Sequence, residues 1–177
     1  MKYLITALLI VAFVCDVHSK CNEEGEKAIK ECHEAFDTEQ KKILKTPPSD
    51  DYIDPRICKS VEKKDKCIEK FKDECKNLGT YRKVLGEAEG QVALAFHYSL
   101  EYACKNNVKT NSEDVKNCGI NEKAASSCPS KHNDCKSRDV LLKCMEKELK
   151  EKCKNEKIVN LFVKSQEYSL KKITPEC

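Results

Sequence analysis

Tryptophan is absent from the 177 residues, and only five phenylalanines, six tyrosines and two methionines are present. A core built from so few large side chains is thin, because apolar area removed from water is the main stabilising term. After the first 14 residues no apolar run comes near the length of about 20 residues that crosses a bilayer, so no membrane span is expected. No stretch alternates apolar and polar residues as a half-buried strand does. The chain also lacks any Asn-x-Ser/Thr triplet, any Cys-x2-Cys pair, any Gly-x-Ser-x-Gly elbow and any phosphate-binding loop. N-glycosylation, zinc fingers, serine-hydrolase chemistry and nucleotide binding lose their usual signatures accordingly.

What the chain does have is cysteine and charge. There are 13 cysteines, and 36% of the residues are charged. The first 19 residues read as a secretory signal: Lys2 gives the positive start, residues 4–14 the apolar run, and Val17, His18 and Ser19 a small-residue cleavage site. Cys15 falls within that segment, leaving twelve cysteines in residues 20–177, which read as a single secreted domain. An even cysteine count in a secreted chain points to disulfides, and each bridge is typically worth about 2–4 kcal/mol to a weak core.

Removing Lys2 and Asp16 together leaves the net charge at +3. The signs are interleaved, as in EKKDKCIEKFKDE, rather than gathered in blocks. That is the pattern of solvated helix faces, so nucleic acid is not an expected partner.

The strongest internal signal is a repeat. Residues 135–155, CKSRDVLLKCMEKELKEKCKN, match residues 58–77, CKSVEKKDKCIEKFKDECKN, at eleven positions with one gap opposite Glu148. All three cysteines of each copy are among the matches, and each copy is followed by a helical stretch and a fourth cysteine, Cys104 or Cys177. A first helix is predicted from Asn22, its cap, to Lys45, with Ile29, Cys32, Phe36 and Ile43 on one face. Residues 46–55 read as an exposed, protease-sensitive loop, and a first repeat helix over residues 61–77 should close at Gly79. A longer helix over residues 81–105 carries the most apolar segment, residues 92–96, with Gly86 and Gly90 permitting another helix to approach closely. The second repeat helix starts at Ser137, Asn155 interrupts the chain, and a final helix runs to residue 173. The expected fold is all-α: a disulfide-stapled domain of two duplicated antiparallel helical hairpins plus an N-terminal helix.

Helix geometry prunes the cysteine pairings. Cys67 and Cys75 stand about 12 Å apart along one helix, and Cys144 and Cys153 about 13.5 Å, too far for the Cα separation of at most about 7 Å that a disulfide allows. Folding each repeat into an antiparallel hairpin brings Cys58 beside Cys104 and Cys135 beside Cys177, the two bonds expected to close the hairpins. Cys67, Cys75, Cys144 and Cys153 then bond across to Cys21, Cys32, Cys118 and Cys128, in an order the sequence leaves open.

The one enzyme-like arrangement is CPSKHNDC over residues 128–135, around His132. Its spacing is one residue too long for secreted phospholipase A2, no Asp directly follows the histidine, and no glycine-rich calcium loop exists. His33 and His97 have no second histidine at metal-ligand spacing, and His97 reads as a core-edge residue. No catalytic residue, metal or cofactor is therefore expected. What remains is binding, and residues 92–96 have two readings: plain helix core, or the lining, through Val92, Leu94 and Phe96, of a site for a small lipophilic ligand held between helices. The Cys-x3-Cys signature of arthropod odorant-binding proteins is missing.

From Cys135 onward, CKSRDVLLKCMEKELKEKCKNEKIVNLFVKSQEYSLKKITPEC resembles the end of the arthropod 27 kDa haemolymph glycoprotein family, where a Cys-x8-Cys-x8-Cys run precedes an amphipathic helix and a terminal Thr-Pro-(x)-Cys. ICKSVEKKDKCIEKFKDEC, the apolar helix after it and Cys104 fit that family's first half. The resemblance implies a secreted, helical, disulfide-rich protein of body fluid without catalytic residues. A compact secreted chain of this kind also suits an arthropod venom or saliva, acting on a foreign target.

Overall fold

The computed structural model describes residues 21–47, 49, 51–109, 118, 128 and 135–175. Among them are seven α-helices and no strand: α1 (Glu23–Ile43), α2 (Pro55–Cys67), α3 (Lys72–Cys75), α4 (Leu78–Leu85), α5 (Glu87–Lys105), α6 (Cys135–Lys152) and α7 (Glu156–Ile173). A 3-10 turn, Glu69–Phe71, separates α2 from α3.

Helix starts follow local chemistry. The Asn22 side chain accepts from the Gly25 N–H, and Glu23, Glu24 and Glu26 occupy the first turn of α1 where the helix dipole favours negative charge. Asp54 caps α2, and Pro55, whose missing N–H costs nothing there, sits in its first turn. Asn77 caps α4 by accepting from the Thr80 N–H, and Asn155 caps α7 through the N–H groups of Lys157 and Ile158. Gly79 therefore lies inside α4 and ends nothing.

The long helix expected over residues 81–105 is two helices. Gly86, at φ +97°, breaks it into α4 and α5. At Gly90 a Cβ would stand 2.2 Å from the Tyr81 carbonyl oxygen, so this glycine lets α5 pack directly on the backbone of α4. The two glycines thus have different uses: Gly86 makes the turn and Gly90 the close contact.

α1 and α2 run antiparallel, joined by Gln40–Ser60, Glu39–Lys63 and His33–Lys64 contacts. α5 packs on α2 and, in the opposite direction, on α7, where the Ser169 hydroxyl donates to the Ala95 carbonyl and Gln166 donates to Ser99. Arg138 near the start of α6 donates to Thr174, so α6 and α7 also form an antiparallel pair. Ile29, Ile68, Tyr81, Leu94 and Ala95 form the largest buried cluster, and Phe36, Val61 and Leu100 form a second between α1, α2 and α5. A third gathers Leu149, Ile158 and Val159 around Cys118 and Cys153.

Among the described residues there are five disulfides: Cys21–Cys75, Cys32–Cys67, Cys58–Cys104, Cys118–Cys153 and Cys128–Cys144. The expected Cys135–Cys177 bond lies outside the described residues, as does His132. The two repeat copies do not share one shape. The second is a continuous helix, α6, whereas the first passes through α2, the 3-10 turn and α3. The disulfides nevertheless follow the repeat: Cys67 and Cys75 bond to Cys32 and Cys21 ahead of the first copy, and Cys144 and Cys153 bond to Cys128 and Cys118 ahead of the second. The connection over residues 46–55 is also less free than a solvated loop. The Tyr52 N–H donates to the Val108 carbonyl, and Asn107 exchanges hydrogen bonds with the Ile53 backbone.

Candidate functional site

Residues 92–96 do not line one surface. Leu94 is 1% exposed in the main core, Val92 is half-buried, and Phe96 is 37% exposed. On a helix, positions i and i+4 share a face and i+2 points away, so Val92 and Phe96 form an outward pair and Leu94 belongs to the packing behind it. The two best-formed hollows among the described residues are open and charged. One is lined by Lys143, Glu146, Lys147, Lys150 and Glu151, the other by Glu31, Glu34, Ala35, Thr38, Glu39 and Lys42.

The most unusual chemistry links α2, the end of α3, α5 and α7. Asp65 accepts from His97 Nε2 at 3.0 Å and from Lys76 Nζ at 2.8 Å. Lys76 also reaches Glu101, 3.4 Å away, and Glu101 accepts from Lys105 Nζ and from the Tyr168 hydroxyl on α7. His97 is fully buried rather than at the edge of the core. Burial lowers the pKa of its imidazole, against the opposing hydrogen bond and charge of Asp65, and the proton on Nε2 is the one directed at Asp65. Burial pushes the Asp65 carboxyl up, but the hydrogen bonds and charges of His97 and Lys76 outweigh it and hold that carboxyl well below the usual range.

Asp65, His97 and Glu101 bring ligand atoms within 4.8 Å of one another. The ammonium of Lys76 stands between the two carboxylates and that of Lys105 pairs with Glu101, so two protein cations balance the two carboxylates. This is an internal ion-pair network, and the second hydrogen-bonding atom of His97, Nδ1, has no partner among the described residues. Its members direct their hydrogen bonds at one another, and Lys105 forms the exposed end.

Beside it is a second buried pair. Lys64, 2% exposed, donates from Nζ to His33 Nδ1 at 3.2 Å, with the rings of Phe36 and Tyr81 at 4.9 and 5.4 Å from the ammonium. Burial lowers the Lys64 pKa to about 8, despite the opposing pull of Asp37. Burial, and then the charge of Lys64, lower that of His33 to about 4, with Asp37 opposing. The charge pattern around residues 58–77 reads as a solvated face, and most of its lysines are indeed exposed. Lys76 is largely withdrawn and Lys64 fully so, and the signal for Lys64 is positional: it falls three residues after Val61 and four before Ile68, on the same helical face as both.

Comparison with protein-family models, with curated proteins and with solved structures finds no match.

Proposed function

We propose that this is a secreted, non-enzymatic extracellular protein of the haemolymph type that binds a small apolar ligand at the Val92–Phe96 face of α5. The observation that carries this reading is Phe96. It is one of three large hydrophobic side chains left exposed among the described residues, and it shares its face with Val92 on the most apolar of the described helices. Support for an extracellular setting comes from the five disulfides, bonds that persist in oxidising compartments. Support for a non-enzymatic role comes from the buried ionisable groups, whose hydrogen bonds are directed at one another.

Titration with a fluorescent fatty-acid probe tests the ligand. Truncating Phe96 to alanine removes an aromatic contact worth roughly 1.5–3 kcal/mol, so Phe96→Ala should weaken uptake about tenfold or more. Equal uptake by both proteins would remove Phe96 from the site, and no uptake by the wild type would end the ligand reading. Native mass spectrometry of protein from its source tissue would show a co-purified ligand directly. Expression in a gland rather than in fat body would move the assignment to a venom or salivary component.

A further inference from the structure

The seam between α1 and α2 contains two nitrogen bases and, between them, one shared hydrogen. Lys64 Nζ donates to His33 Nδ1 at 3.2 Å, and both side chains are buried. The charged and titratable groups facing the pair are few. On α1, Asp37 lies 3.7 Å from His33 Nε2 and is 42% exposed, and Lys41 is further off. On α2 the neighbour is Asp65, committed to His97 and Lys76; His97 faces the pair from α5, and the phenol-bearing ring of Tyr81 from α4. The hydrogen bond requires a lone pair on His33 Nδ1. A proton there replaces the acceptor with a second donor and sets two positive charges against each other in a buried place.

Covalent bonds divide α1 at this point. Cys21–Cys75 and Cys32–Cys67 fasten the helix up to the residue before His33. Beyond it, residues 34–43 are held to α2 by Phe36 packing on Val61, by Gln40 with Ser60 and by Glu39 with Lys63.

We propose that this seam is an acid-opened hinge: protonation of His33 against Lys64 releases residues 34–43 of α1 from α2, while the two disulfides keep residues 21–32 in place. Opening uncovers the cluster of Phe36, Val61 and Leu100, an apolar surface presented only in acid. The direction follows from linkage. His33 takes its proton near pH 4 when the seam is closed and near its ordinary value of about 6.5 when open, so falling pH across that interval favours the open form.

Hydrogen–deuterium exchange of the disulfide-intact full chain, corrected for intrinsic rate, reads this directly. Protection of residues 34–43 should fall by up to about tenfold per pH unit between about pH 6.5 and pH 4, while α5 and α7 keep theirs. His33→Gln, which can still accept from Lys64 but cannot take a proton, should hold its protection through the same range. Lys64→Met, which removes the opposing charge, should shift the loss to lower pH even if the glutamine variant folds poorly. Equal acid loss in wild type and His33→Gln overturns the proposal. So does loss of protection in α5 and α7 in step with α1, or no loss at all by about pH 4.

Discussion

Lys64→Met should stabilise the protein, which is an unusual outcome for a substitution in a buried seam. The ammonium is 2% exposed and its pKa is lowered to about 8, chiefly by burial, against about 10.4 in an unfolded chain. A group whose folded pKa is depressed in this way, and whose charged form is the acid, weakens the fold wherever both states are protonated, below about pH 8. As pH rises from 8 towards 10 the folded state gives up its proton first, the unfolded chain holds more protons, and stability increases. The full interval corresponds to about 3 kcal/mol. Methionine fills a similar volume without the charge. The variant forfeits the hydrogen bond to His33 and the ammonium contacts with Phe36 and Tyr81, together worth about 1–2 kcal/mol. The net expectation is a gain of about 1–2 kcal/mol at neutral pH. Denaturant unfolding with disulfides intact, at several pH values between 7 and 10, measures both quantities. Readings above pH 10 should be left out, because burial raises the pKa values of Tyr52, Tyr81 and Tyr98 and gives stability the opposite slope there. A wild-type stability that is flat from pH 8 to 10, or a methionine variant that is less stable at neutral pH, would refute the reasoning.

Gly90→Ala should be damaging, since its methyl group would meet the Tyr81 carbonyl at 2.2 Å and α4 must shift; a loss of about 2 kcal/mol or more in thermal or denaturant unfolding is expected. Removing Cys58 and Cys104 together should destabilise more than removing Cys128 and Cys144, because the first pair closes 46 residues and the second 16. Loop entropy places the two at about 4 and about 3 kcal/mol, and unfolding of the two double-alanine variants under one condition would rank them.

The helical class is legible because the chain carries caps and periodicity without strand alternation. Asn22 and Asn155 announce the starts of α1 and α7, and both do cap them. Helix breaks are harder to read. Nothing local distinguishes Gly86, which turns the chain, from Gly90, which stays helical four residues later; the difference is the Tyr81 backbone packed against the second. The duplicated cysteines pair in the same order in both copies, yet the first copy breaks at a 3-10 turn where the second stays one helix, a difference that no local residue pattern announces. The buried charges are obscured for the same reason. In EKKDKC, Lys64 and Asp65 stand among lysines that stay in water. Their removal from solvent depends on His33 and His97, which lie more than 30 residues away in sequence.

The five described disulfides have a consequence at the scale of the whole polymer. Three lie within residues 21–104 and two within residues 118–153, and none of the five crosses between these spans. As a graph of cross-links, the described chain has two separate components joined along the backbone, by Tyr52 packed on the Leu149 and Ile158 cluster, and by the side-chain seam of α5 and α7. Unfolding by force at the two ends would therefore lengthen the molecule first at that seam, before either cross-linked component had to yield. Two molecules could likewise trade their α6–α7 pairs, each seating Ser165 and Ser169 on the α5 of the other, with none of these five sulfur bonds broken.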